Sequence, residues 1–247
     1  MNRTQKFLIN SITTALGQVV VMIVGFITPS LMIRTYGSEI NGLVSSINQL
    51  IGYISLVEAG LSGAAIYSLY KPLAEHDEKG INAIVSAARK FYLQAGYIFS
   101  SSALVLSVVY GFLKSSASIS FATIFFLTLI LSVNGCIDFF VLSRYRVILT
   151  ADQRTYVISI VGIIQTIIRT MIIVVCALAK INVVVLYALT LLPIAIKIIV
   201  LFVYCKKNYK FLNFKEEPNI AALGRRYDVI YQQILGMVQG HLPLSRQ

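Results

Sequence analysis

Six long apolar stretches divide this chain, and nearly every lysine and arginine outside them falls in the segments on one side. Such a pattern restricts the chain to a multi-pass membrane bundle, because a helix crosses roughly 30 Å of hydrocarbon with about 20 apolar residues. The stretches run over Ile12–Ile33, Leu43–Leu69, Phe91–Leu113, Ile119–Leu142, Tyr156–Leu178 and Val183–Tyr204. None shows the ten-residue alternation of a membrane β-barrel, and helices are the other way to satisfy a backbone in lipid. The predicted fold class is therefore all-α, a polytopic helix bundle with six transmembrane helices over residues 1–204. Residues 205–247 form a second unit, a basic linker followed by an amphipathic helix. In that helix Ile220, Leu223, Tyr227, Ile230 and Ile234 recur at helical spacing, with Arg225, Arg226 and Asp228 off the stripe. The closing run from Gly236 to Gln247 is not apolar enough to span, so the chain reads as truncated at the start of a seventh element.

Charge gives the bundle an expected orientation. Charged residues make up 13% of the chain and hydrophobic ones 57%, which suits lipid rather than water. A net charge of +11 would suggest nucleic acid for a soluble chain. Here the distribution explains it better. With the N-terminus inside, sixteen Lys and Arg fall on the inner side, while Arg34, Lys114 and Lys180 fall on the outer side. The positive-inside rule then predicts a multi-pass protein with both termini in the cytoplasm and basic loops against anionic headgroups. The first stretch, although preceded by Arg3 and Lys6, exceeds the core of a signal peptide and lacks a small-residue cleavage pattern. Cys136, Cys176 and Cys205 have neither disulfide-framework nor metal-ligand spacing.

Ionisable residues inside the spans are the candidate functional groups, because each costs roughly 2.5–3.5 kcal/mol at mid-membrane on insertion scales. Arg169 sits deep in the fifth span, and Ser159, Gly162, Thr166 and Arg169 make one polar stripe with Gln165 a turn away. The stripe faces either a water-filled cavity or a neighbouring helix that pairs the arginine. Lys197 lies four residues after Pro193, on the same helix face. That proline predicts a kink, and the lysine either faces the cavity or snorkels inward. Glu58 adjoins a face formed by Ser45, Asn48, Gly52, Ser55 and Ser62 in the second span. It either titrates for ion coupling or pairs with Arg169. Asp138, near the inner end of the fourth span, is a candidate for ion coupling or for pairing with Arg144 or Arg146. Arg34 closes the first span just after Pro29, as an interfacial anchor. Pro29 and Pro193 are the candidate hinges.

Enzyme readings are weak. There is no Gly-rich phosphate loop, and both histidines, His76 and His241, lie outside the spans, so no metal site or other cofactor site is expected. The run from Arg34 to Leu43, with Tyr36-Gly37 and Gly42-Leu43, then Glu58, Gly60 and Leu61 and the following Leu-Tyr-Lys-Pro-Leu loop, resembles bacterial polysaccharide transporters. These are lipid-linked oligosaccharide flippases, which move O-antigen and capsule repeat units. They belong to the superfamily of multidrug, oligosaccharidyl-lipid and polysaccharide exporters. The resemblance covers the family's N-terminal lobe. It implies residence in the bacterial cytoplasmic membrane and alternating access around a cationic cavity formed with a second lobe, absent here unless a homodimer supplies it. The implied substrate is an anionic polyprenyl-pyrophosphate-linked glycan; depth in the spans and charge, rather than a family motif, nominate Arg169, then Lys197, then Arg34 as its cationic partners. Two other functions stand beside this one. The first is a cation-coupled multidrug exporter lobe, against which the absence of an acidic residue from Ile12–Ile33 counts. The second is a nonfunctional remnant or membrane scaffold.

Overall fold

The computed structural model describes residues 3–115, 119–214, 216–220 and 223, with backbone alone for Arg3 and residues 55–61. It is all-helical: α1 (Arg3–Glu75), α2 (Glu78–Lys114), α3 (Phe121–Ile137), a π-helical turn (Asp138–Leu142), α4 (Ser143–Ala151), α5 (Thr155–Leu178), α6 (Val183–Leu189) and α7 (Leu192–Asn208). Among the described residues there is no strand. Five stretches are long and apolar enough to cross a membrane: Thr4–Ile54, Glu78–Lys114, Phe121–Ala151, Thr155–Leu178 and Val183–Asn208.

The first of these is broken by one residue. Gly37 has φ 87° and ψ 163°, outside helical geometry and in a region that is essentially glycine's alone. An unbroken helix would put Val21 and Asn48 about 40 Å apart at 1.5 Å per residue. Instead they line one cavity. The chain therefore folds back at Gly37, and α1 consists of two limbs. The loop expected from Arg34 to Gly42 is condensed to this single residue, and helical geometry continues through Pro29. The first limb lies beside α5 in the same direction. Lys6 pairs with Asp152, just ahead of α5, and Tyr36 donates to the carbonyl of Ile181, just past its end.

The connection expected between Leu69 and Phe91 is also shorter than predicted. Helix persists to Glu75, and Asp77 caps α2 by accepting from the Gly80 amide at 3.0 Å. Glycines set how closely α2 and α3 approach. A Cβ on Gly135 would stand 2.3 Å from Phe99, and one on Gly96 would stand 3.0 Å from Phe140. Small residues at such seams let two backbones come close and let large rings fill the notch. At the far end of the pair Phe121 fills the space over Gly111 in the same way.

Two irregularities interrupt the later spans. The helix expected to stop at Leu142 continues to Ala151 through the π-helical turn, where the Ser143 hydroxyl donates to the Asp138 carbonyl at 2.6 Å. The last span breaks at Thr190 and Leu191, with Pro193 in the first turn of α7. Leu191 and Ile194 donate three residues back rather than four, at 3.1 and 3.0 Å. Pro193 stands just past the break, at the start of a new helix, where its missing N–H is tolerated.

The bundle is tied at the end that carries most of the basic residues. Asp152 accepts from Lys6 at 2.9 Å and from the Tyr209 hydroxyl at 2.7 Å. Arg154 Nε stands 2.7 Å from its other side, out of line for a hydrogen bond, and donates through a second nitrogen to Asn208 at 2.9 Å. Burial opposes the Asp152 carboxylate, but the hydrogen bonds from Lys6 and Tyr209 and the nearby charges outweigh it, so its pKa lies below the usual aspartate range. The sign follows: this group stabilises the fold above the unfolded pKa of about 4 and loses its contribution as pH falls through the lower folded value. Asp152→Asn is expected to cost about 1–3 kcal/mol at pH 7. It should also flatten the loss of thermal stability between neutral and strongly acidic pH, as read by unfolding in detergent. Equal acid sensitivity in both proteins would contradict this.

The segment after α7 is latched to α2. The Asn82 amide donates to the Phe211 carbonyl and accepts from the Asn213 amide, both at 2.9 Å, and Asn219 donates to the Ala83 carbonyl at 3.2 Å. This segment, expected to be a polar linker, is therefore part of the packed structure. Of the amphipathic helix predicted over residues 220–234, Ile220 and Leu223 are described; the rest, with the run to Gln247, lies outside the described residues.

Candidate functional site

Fold-back at Gly37 brings two polar stripes and Thr28 to one place. The first limb supplies Thr28 and Pro29, the second supplies Asn41, Ser45 and Asn48, and α5 supplies Thr166, Arg169 and Thr170. Tyr187 of α6 completes the wall. Together they line an open cavity of about 320 Å³. A second cavity of about 290 Å³ adjoins it along the groove between the first limb and α5. Thr13, Thr14, Gln18, Ser159 and Gln165 line it, and it shares Val21 and Thr166 with the first. The stripe predicted on α5 thus runs along two neighbouring cavities.

Several of these groups are already satisfied within their own helices. Thr170 donates to the Thr166 carbonyl at 2.8 Å, and Ser45 donates to that of Asn41 at 2.9 Å. Two are not. The Thr28 hydroxyl is buried and has no hydrogen-bond partner among the described residues. Arg169 is half-buried, and no carboxylate among the described residues lies within ion-pairing distance of it. A guanidinium carries five donors and a permanent charge. The cavity is therefore chemically suited to an anion that accepts from Arg169 and is flanked by hydroxyl and amide groups.

The other predicted groups fall elsewhere. Lys197 stands 3.5 Å from Asp138, joining α7 to the π-helical turn, with 18% and 30% of the two side chains exposed. The partner of Asp138 is thus a lysine from another span. Arg144 lies over the rings of Tyr145 and Phe214, 4.9 Å from each centroid. Arg34 is exposed near the Gly37 reversal and does not line either cavity. The side chain of Glu58 lies outside the described residues. Pro29 lines the Arg169 cavity from within a continuous helix, whereas the reversal belongs to Gly37.

Sequence reasoning missed Thr28, Asn41 and Tyr187. Asn41 could have been found, since it precedes Ser45 and Asn48 at helical spacing on the same stripe. Thr28 and Tyr187 carry no such signal, because their place at the cavity follows from the fold-back and from the break before α7. No family model, no curated protein and no solved structure matches this chain.

Proposed function

We propose that this chain is one lobe of a membrane transporter that moves polyprenyl-pyrophosphate-linked oligosaccharide repeat units across the bacterial cytoplasmic membrane. In this reading the two limbs of α1 are separate spans, so the bundle has six, and the basic end faces the cytoplasm. The observation that carries the proposal is the half-buried Arg169, which faces a polar cavity with no carboxylate beside it among the described residues. A lone cation within a span is costly, and its default role is functional. Arginine presents a planar fork that matches phosphate oxygens two at a time. Pyrophosphate would sit on Arg169, with Thr28, Asn41 and Asn48 supplying further polar contacts, while the polyprenyl tail stays in lipid. Lys197 is compensated by Asp138, so Arg169 bears the substrate's charge and the Lys197 pair ties two interrupted helices together. The open side of the cavity is where a second lobe or a second copy would close the path.

Transport by reconstituted protein tests this reading. Liposomes containing the chain should move a fluorescent polyprenyl-pyrophosphate oligosaccharide between leaflets faster than protein-free liposomes, and should leave the same lipid lacking its pyrophosphate where it is. Equal rates with and without protein, or export of cationic dyes instead, would count against it.

A further inference from the structure

A second site stands at the basic end, away from Arg169. Where α7 ends, the chain turns back so that Leu212 and Phe214 approach Phe202. Between them lies a cavity of about 230 Å³, lined also by Tyr145, Cys205, Tyr209, Lys206 and Lys210. Its walls are rings: Tyr145 meets Phe202 and Phe214 edge-on, at centroid distances of 6.3 and 5.8 Å. The Tyr209 hydroxyl is committed to Asp152, whose charge is matched by Lys6 and Arg154; among the described residues no acid lines the cavity, and Glu216 and Glu217 follow Phe214 along the chain.

Three cations surround these rings. Lys206 and Lys210 line the cavity and are exposed. Arg144 stacks on Tyr145 and Phe214, and its Nε is buried with no hydrogen-bond partner among the described residues. A soluble anion would gain nothing from four aromatic rings. An anion with a greasy attachment would use both halves, and the site sits where they meet. Phe202 is an exposed ring on a membrane-spanning helix, and Lys206 follows it by one turn. Aromatic rings and basic residues at the end of a span mark headgroup depth, where anionic lipids gather.

We infer that this cavity is a binding site for an anionic phospholipid, its phosphate held by Lys206 and Lys210 and its glycerol and upper chains against Phe202 and Phe214. The site is independent of the Arg169 cavity and of what that cavity transports.

Thermal unfolding of the full chain in a neutral detergent tests the inference, with phosphatidylglycerol, phosphatidylcholine or inorganic phosphate added in turn. Phosphatidylglycerol alone should raise the midpoint, by the mass-action stabilisation of a bound ligand. The double variant Lys206→Gln/Lys210→Gln should unfold near the wild-type temperature without lipid and bind phosphatidylglycerol about thirtyfold more weakly, at about 1 kcal/mol per lysine. Arg169→Gln should keep the full response, which separates this site from the transport cavity. A control pair on the same end, Lys71→Gln/Lys79→Gln, should keep it too. The inference is overturned if phosphatidylcholine acts equally, if inorganic phosphate reproduces the shift, if the double variant responds like wild type, or if either control loses as much.

Discussion

Arg169→Gln is expected to weaken binding of a polyprenyl pyrophosphate by about ten- to a hundredfold, the loss of hydrogen bonds to a charged group worth about 1.5–3 kcal/mol. The same substitution should raise the thermal stability of the unliganded protein. Arg169 is half-buried in a span with no carboxylate partner among the described residues, so its charge burdens the fold. Arg169→Lys should fall between the two in binding, because it keeps the charge and loses the planar fork. Titration of the purified chain with the lipid, alongside unfolding curves, measures both quantities. Loss of stability in Arg169→Gln with no loss of binding would make the residue a structural partner, for instance of Glu58, and would remove it from the substrate path.

Gly37→Ala is expected to cost about 1–3 kcal/mol through backbone strain alone. An added Cβ would meet no atom within 4 Å, so crowding plays no part; the cost comes from φ 87° and ψ 163°. Gly42 provides the control. It is equally open, but it lies inside the helix with no positive φ, and alanine there should be neutral or stabilising by up to about 1 kcal/mol. Unfolding of the two variants under one set of conditions gives the comparison. Equal stability would mean that the reversal does not depend on glycine. The prediction bears on function as well, because the fold-back at Gly37 is what sets Asn41, Ser45 and Asn48 opposite Thr28 and Arg169.

Much of the candidate site was legible in the chain because polarity within an apolar span is conspicuous. The three-four spacing of Ser159, Gly162, Thr166 and Arg169 named one wall, and that of Ser45 and Asn48 named part of another. What was illegible was pairing across the bundle. Asp138 has two arginines within a few residues along the chain, yet it meets Lys197, fifty-nine positions away. Nothing in the local spacing marks Asp152, yet it gathers Lys6, Arg154 and Tyr209. Such partners are chosen by which helix ends share one face of the bundle, a relation that local spacing does not encode.

The sequence by itself determined that this protein is helical and suited to lipid. Apolar length and charge placement are additive properties of segments, and the bilayer demands them segment by segment. The tertiary structure decided where the chain reverses, which polar stripes face one another and which charges are compensated. Those depend on one glycine's backbone angles, on a helix restarted at Pro193 and on rings seated over glycines, and each acts between elements rather than within them.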